Sequence, residues 1–253
     1  MPIRKNTERL QKYLSRLGVG SRREIDAWIE AGRISVNGKI SILGTQVGSD
    51  DHIQIDGRPI RNRILRNEKS SRPRVLLYNK PEGEICTRKD PQNRPSVFSK
   101  FPRLKSGRWI LVGRLDINSR GLLMITNNGD LAQSLMHPSF NNEREYLCRI
   151  YGNVTTSKIN SLLQGRDLDG RLVKFQRVEK IRGQGRNMWF SVVVTEGRYR
   201  EIRRLWKSVG CTVSRLNRIR FGEIRLPRDL RIGKWTELNH KSVYRLMQHI
   251  KQK

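Results

Sequence analysis

Beyond residue 74, strand-like and helix-like runs follow one another without strict alternation, and this order constrains the fold more than any other feature. Strand-like pieces fall at 75–78, 110–112, 122–126, 146–151 and 189–195, and helix-like pieces at 130–136, 156–163, 200–209 and 241–250. A doubly wound parallel sheet needs strands and helices in regular succession, so the pattern disfavours it and predicts an α+β domain. The stretch 87–107, with Pro91, Pro95 and Pro102, reads as a long irregular loop. Loops of that length in compact domains are often functional.

The first sixty residues predict a separate small unit. Leu10, Tyr13, Leu14 and Leu17 follow i, i+3, i+4, i+7 spacing, one apolar helix face that ends at Gly18-Val-Gly20. Ser21 with Glu24 three residues on forms a capping box for a second helix, which turns Ile25, Trp28 and Ile29 inward and stops at Gly32. Asn37-Gly38 and Asp56-Gly57 then separate short β-prone runs, a strong hairpin signal. Residues 61–74 carry Arg61, Arg63, Arg66, Lys69, Arg72 and Arg74 with Ser70-Ser71 and Pro73, and read as a basic linker. The expected division is therefore 1–60, a linker over 61–74, and a larger domain over 75–253.

The partner follows from charge. The 253 residues hold 52 Lys and Arg against 23 Asp and Glu, a net charge of +29. Such a field draws polyanions. Arginine prevails over lysine, and its planar fork matches phosphate oxygens. An anionic membrane surface is the competitor, but there is no Lys-rich amphipathic helix or lipidation signal to favour it. Most of the excess lies outside the first sixty residues, which contain 10 basic and 7 acidic side chains. Within that unit Arg9, Lys12, Arg16, Arg22 and Arg23 still cluster on the two helices. A DNA-reading helix-turn-helix is the competing reading of this unit, and the glycines and hairpins after the second helix fit an RNA-binding α+β unit better.

Several chemistries drop out. No apolar run approaches the ~18 residues of a membrane span, and the N-terminus has no secretory h-region. Cys86, Cys148 and Cys211 are odd in number and far apart, and His52, His137, His240 and His249 show no ligand spacing. A cytoplasmic protein without metal or cofactor is the expectation.

Three segments carry reactive groups. In Val112-Gly113-Arg114-Leu115-Asp116-Ile117-Asn118-Ser119-Arg120-Gly121-Leu122 a strand ends on glycine, presents an aspartate beside arginines, and re-enters a strand. Such an aspartate stays ionised and is fit to act as nucleophile, base or electrostatic anchor. A plain capping role in the turn is the commoner use. Arg144-Glu145-Tyr146 opens a strand with a tyrosine suited to stacking on a base, or to half-burial in a sheet. Glu196-Gly197-Arg198-Tyr199-Arg200-Glu201-Ile202-Arg203-Arg204-Leu205 starts a helix with several arginines, a solvated face unless one of them pairs with a buried carboxylate.

With Ser214-Arg215-Leu216-Asn217-Arg218 and Gly222 completing the series, the chain resembles the RsuA/RluB family of ribosomal RNA pseudouridine synthases, on the branch acting on the large subunit. Its opening, with Ser21-Arg22-Arg23-Glu24 and Gly32 to Gly38, resembles the RNA-binding module of ribosomal protein S-four. The resemblance runs from about Thr7 to Ile250 in the family's order. It implies that module followed by a catalytic domain with a mixed, mainly antiparallel sheet. It makes Asp116 the catalytic aspartate, Tyr146 the tyrosine packed on the target uracil, Arg203 the aspartate's basic partner, and Leu216 the aliphatic wall of the base pocket. Arg114, Arg120, Arg198, Arg204 and Arg218 join the N-terminal cluster as expected RNA contacts. Ser119 stands where many members have threonine, and Tyr199-Arg200-Glu201 replaces the Asn-His-Gln of many relatives, which bears on substrate choice. The implied partner is ribosomal RNA bound by a monomer. A different ribosomal uridine, or a non-catalytic RNA-binding or ribosome-assembly role, is the alternative.

Overall fold

Leu10, Tyr13, Leu14 and Leu17 are buried together with Ile25 and Ile29 in one apolar cluster, the expected inward faces of α1 (Leu10–Arg16) and α2 (Arg22–Glu30). The computed structural model describes residues 7–60, 72–105 and 107–251, with side chains to residue 248. The chain divides into two compact units. One comprises Met1–Pro73 with Pro102–Trp109 and Asn127–Gly129, and the other Arg74–Phe101, Ile110–Thr126 and Asp130–Lys253.

In the smaller unit the capping box is present: the Ser21 hydroxyl accepts from the Glu24 amide and the Glu24 carboxylate accepts from the Ser21 amide. A short strand β1 (Glu8–Arg9) precedes α1, and α2 is followed by β2 (Ile34–Val36), β3 (Lys39–Ile40), β4 (Gln46–Val47), β5 (Ile53–Ile55) and β6 (Arg58–Pro59). The sheet order is β3-β2-β5-β6, with β1 paired to β4. Both predicted hairpins form. Asn37 and Gly38 take φ of 53° and 78°, and Asp56 and Gly57 take 50° and 74°, the positive pair that a type I′ turn requires. Most of the expected linker lies outside the described residues. Its last arginine, Arg74, is held by a two-pronged bond to Glu237, 2.7 Å at each nitrogen.

The larger unit contains β7 (Val75–Lys80), β8 (Ile110–Val112), β9 (Arg120–Thr126), α3 (Gly129–Met136), β10 (Arg144–Tyr151), α4 (Thr156–Gln164), β11 (Arg166–Asp167), β12 (Leu172–Val173), β13 (Arg177–Arg182), β14 (Asn187–Val194), α5 (Glu201–Ser208), β15 (Thr212–Phe221), β16 (Ile224–Arg225), β17 (Trp235–Glu237) and α6 (His240–Lys251). Its main sheet runs β13-β14-β10-β15-β9-β7-β17, with β16 beside β15 and β8 beside β9. Each pairing in it is antiparallel except β9 with β15. The sheet is thus mixed and mainly antiparallel, as the resemblance implied, in an α+β domain of the kind the order of runs predicted.

That one parallel contact sets Gly121 opposite Arg218. Gly121 has φ of 101°, and a Cβ there would fall 2.3 Å from the Arg218 carbonyl oxygen. Only glycine admits so close an approach. The contact brings the turn ahead of β9 beside the middle of β15.

Candidate active site

A cleft of about 1050 Å³ opens in the larger unit, and Asp116, Tyr146 and Leu216 all line it. Asp116 sits in the turn between β8 and β9. The chain enters that turn through Gly113, at φ of 76°, and the Ser119 amide closes it on the Asp116 carbonyl at 3.0 Å.

Two cations hold this turn by its backbone. Lys80, at the end of β7, is 0% exposed, and its ammonium donates to the carbonyls of Pro81 (2.9 Å), Asp116 (3.1 Å) and Ser119 (2.9 Å). Burial pulls its pKa below the ordinary lysine range, against the opposing pull of Cys86, Glu84, Asp116 and Glu82. Arg203, from α5, donates to the carbonyls of Asn118 (2.9 Å) and Val213 (2.7 Å). The resemblance implied a direct pair between Arg203 and Asp116. Arg203 instead spends its fork on backbone oxygens, and Asp116 acts on it only through space. The physical reason is competition: both terminal nitrogens bond backbone carbonyls, while the buried Nε has no partner among the described residues. Burial and the neighbouring Arg200 lower the Arg203 pKa, and the charge of Asp116 opposes them. Among the described residues the Asp116 carboxylate accepts no hydrogen bond, and it is half-buried at the cleft wall.

The opposite wall comes from the central strands. Tyr146 on β10 is 7% exposed and pairs across the sheet with Arg218 on β15, while Leu216 pairs with Cys148. Arg218 was expected on the RNA-facing surface. It is 2% exposed, with its Nε bonded to the Leu122 carbonyl at 2.7 Å and its guanidinium 5.3 Å from the Phe221 ring. It therefore forms part of the cleft floor, because β15 turns residues 216 and 218 to the same side as Tyr146. Arg144 is also buried, 4.9 Å over the same ring, and bonded to the carbonyls of Asn142 and Thr195. Burial lowers its pKa.

The other expected contacts are dispersed. Arg114 and Arg198 are exposed at the cleft, Arg198 paired with Glu196. Arg204 lies away from the cleft lining and pairs with Asp169 at 2.7 Å. Arg120 is half-buried, its Nε without a partner among the described residues. In the smaller unit Arg9, Arg16, Arg22 and Arg23 are exposed and Lys12 half-buried, with Lys12 and Arg16 both paired to Glu8.

Sequence reasoning missed Lys80, the half-buried Cys86 and the buried Glu201. Glu201 accepts from the Arg198 amide at 3.0 Å, and burial raises its carboxyl pKa. Cys86 lines the cleft, its thiol pKa likewise raised by burial. Among the described residues no group of three or more His, Cys, Asp or Glu is placed to hold a metal, and no helix is long and apolar enough to cross a membrane.

Comparison with known proteins agrees with this architecture. Residues 74–208 match the RNA pseudouridylate synthase family, and residues 8–53 match the S4 domain. The chain is 49% identical over 239 residues to a Pseudomonas aeruginosa protein named ribosomal large subunit pseudouridine synthase B, spanning 93% of this chain and 61% of the relative's length. The Escherichia coli K12 protein of the same name is 50% identical over 235 residues, 92% of this chain and 80% of its own. A crystal structure of a pseudouridylate synthase superposes with a TM-score of 0.63 at 22% identity, covering 94% of this chain and 99% of that one. The last shows the fold. Together with the sequence matches, it follows that the chain belongs to the RNA pseudouridylate synthase family and carries an S4 domain ahead of the synthase domain.

Proposed function

We propose that the protein isomerises one uridine of large-subunit ribosomal RNA to pseudouridine, with 1–60 as an RNA-binding module, 61–74 as a linker and 75–253 as the catalytic domain. The observation that carries this reading is a half-buried carboxylate, Asp116, unpaired among the described residues, on a turn fixed by Lys80 and Arg203 and facing a cleft with an aromatic and an aliphatic wall. The names of the bacterial relatives supply the substrate class.

The reaction breaks the N1–C1′ glycosidic bond, turns the uracil, and joins C5 to C1′. C5 gives up its proton and N1 gains one, so the net change is zero and no cofactor is called for. A stacked uridine cannot turn, so the base must first be extruded into a pocket. Tyr146 provides the face on which the uracil packs, and Leu216 the wall behind it. Asp116 supplies the carboxylate for the bond exchange, on the base or the sugar. Arg203 fixes where that carboxylate sits by holding the turn through the Asn118 carbonyl. Arg114 and Arg198 at the rim suit phosphates, which give affinity and register. The protein works in the cytoplasm as a monomer.

The test is carbodiimide mapping of pseudouridine in ribosomal RNA from cells lacking the protein. One missing stop, restored by wild type and not by Asp116→Asn, is the expected result. Restoration by Asp116→Asn removes the aspartate from its role, and no missing stop at all leaves a binding protein.

A further inference from the structure

The sheet that bears Tyr146 and Leu216 has a second face, and its side chains are arranged for a polyanion. Successive strand residues point to opposite sides. Tyr146 and Leu216 line the cleft, so Arg149 on β10 and Arg215 on β15 project from the other side. Register aligns a row across four strands there: Arg182 on β13 opposite Trp189 on β14, Trp189 opposite Arg149, and Arg149 opposite Arg215. At the usual strand spacing the row is about 14 Å long. The Arg182 guanidinium lies 5.6 Å from the Trp189 ring, and Tyr151, 47% exposed, stands one row further along.

Two features separate this row from an ordinary solvated surface. Arg149 and Arg215 are direct cross-strand partners, an arrangement that like charges disfavour. Among the described residues, none of Arg149, Arg182 and Arg215 has a carboxylate within 4.0 Å. Two rows along the same face, past the row of Leu147, Ser191 and Glu179, the charge is balanced by contrast: Glu145 takes Arg220 at 2.8 Å and Arg177 at 3.3 Å. A bonded counter-charge is thus built into the Glu145 row of this face and left out of the Arg149 row.

We infer that this face is a second RNA-contact surface, on which an RNA strand lays its phosphates along Arg182, Arg149 and Arg215 and stacks an unpaired base on Tyr151. Alternating guanidinium and aromatic groups are the chemistry that holds single strands without reading sequence. The occupant is substrate RNA flanking the nucleotide in the cleft, so the inference rests on the proposed substrate class. It assigns a grip to residues remote from the reacting base.

The experiment compares wild type with the Arg149→Ser/Arg215→Ser double variant, and separately with Arg182→Ala at the exposed edge. Binding to transcribed large-subunit ribosomal RNA is titrated across salt concentrations, and pseudouridine formation is followed in the same RNA. The expected result is about tenfold weaker binding at physiological salt for the double variant, with a salt slope smaller by about two. Turnover at saturating RNA stays at the wild-type level, and the thermal midpoint does not fall, since a repulsive pair has been removed. Arg182→Ala weakens binding in the same direction, and does so even if the double variant folds poorly. Wild-type affinity and salt slope in both variants overturn the inference. So does unchanged RNA binding with loss of binding to assembled ribosomal particles, which assigns the face to a protein. If wild type binds the RNA but forms no pseudouridine, the enzymatic reading fails, while affinity alone still decides the role of this face.

Discussion

The buried ammonium of Lys80 lies 3.1 Å from the carbonyl oxygen of Asp116, so the residue proposed to react is held through its own backbone. The same ammonium takes the Ser119 carbonyl at the far end of the turn. A lysine with no exposed surface is costly to bury, and three carbonyl acceptors repay part of that cost. Lys80→Met keeps the stem and removes the ammonium from all three carbonyls, of which, among the described residues, Asp116 alone keeps a second donor, the Ser119 amide. At about 1–3 kcal/mol for a buried group left unsatisfied, a loss of about 3 kcal/mol or more is expected in urea unfolding. Activity should fall further than the folded fraction does. Turnover per folded molecule equal to wild type would show that the turn holds its shape without the ammonium.

Arg203 fixes the same turn from the other side, through Asn118 and Val213. Lys at 203 keeps the charge but loses the fork that spans two carbonyls. A displacement of about 1 Å in a reacting group costs on the order of 10²-fold in rate. Arg203→Lys is therefore expected to lower kcat by about that factor with little change in KM. Steady-state kinetics on transcribed RNA separates this from an RNA-binding role, which would raise KM and spare kcat.

Much of this was legible in the chain, for reasons that differ by element. α1 and α2 were read correctly because their apolar spacing and the Ser21–Glu24 box agree with each other. The two hairpins were read because Asn-Gly and Asp-Gly have few other uses. β15, ten residues long and carrying Leu216, was missed. Its pairing with β10 shifts register twice, near Glu145 and near Arg149, so the apolar residues of 212–221 never settle into period two. Asp116 stood out only through the ordered set of motifs around it, since an aspartate in a glycine-rich turn is ordinary. Lys80 gave no signal, because a lysine closing an apolar strand looks the same whether solvated or buried. Burial of Arg218 was hidden for the same reason. Composition says that a guanidinium is present, and only the fold says which side of the sheet it faces.

Gly121 links the proposed catalytic turn to β15, and a side chain there has no room. A Cβ would lie 2.2 Å from Asn217 Oδ1 and 2.3 Å from the Arg218 carbonyl oxygen. The asparagine has some freedom to turn away, but the backbone oxygen has none without parting the strands. Overpacking of about 1–3 kcal/mol adds to a similar penalty for alanine at a φ of 101°. Gly121→Ala should lower the unfolding free energy by about 3 kcal/mol or more. A midpoint within error of wild type would mean that β9 and β15 tolerate separation at this point.

Glu145 supplies a pH dependence whose sign follows from its partners. Burial pushes its carboxyl pKa upward. Bonds from Arg220 and Ser191, with the charges of Arg220 and Arg177, outweigh that and hold it below its ordinary 4.5. The unfolded chain therefore takes up this proton at higher pH than the folded protein does. The stabilisation is fully present above the ordinary value and is lost as pH falls through the lowered one. Glu145→Gln removes the titrating group and leaves Arg220, Arg177 and Arg225 without their shared counter-charge. Its cost at pH 7 is about 2 kcal/mol, less than the ~3–5 for a fully buried pair, because Arg177 and Arg225 are exposed to solvent. Urea unfolding of both proteins between about pH 6 and pH 3 checks the sign. The gap between wild type and Glu145→Gln should narrow as the solution is acidified, and a gap that widens instead would place the Glu145 pKa above its ordinary value.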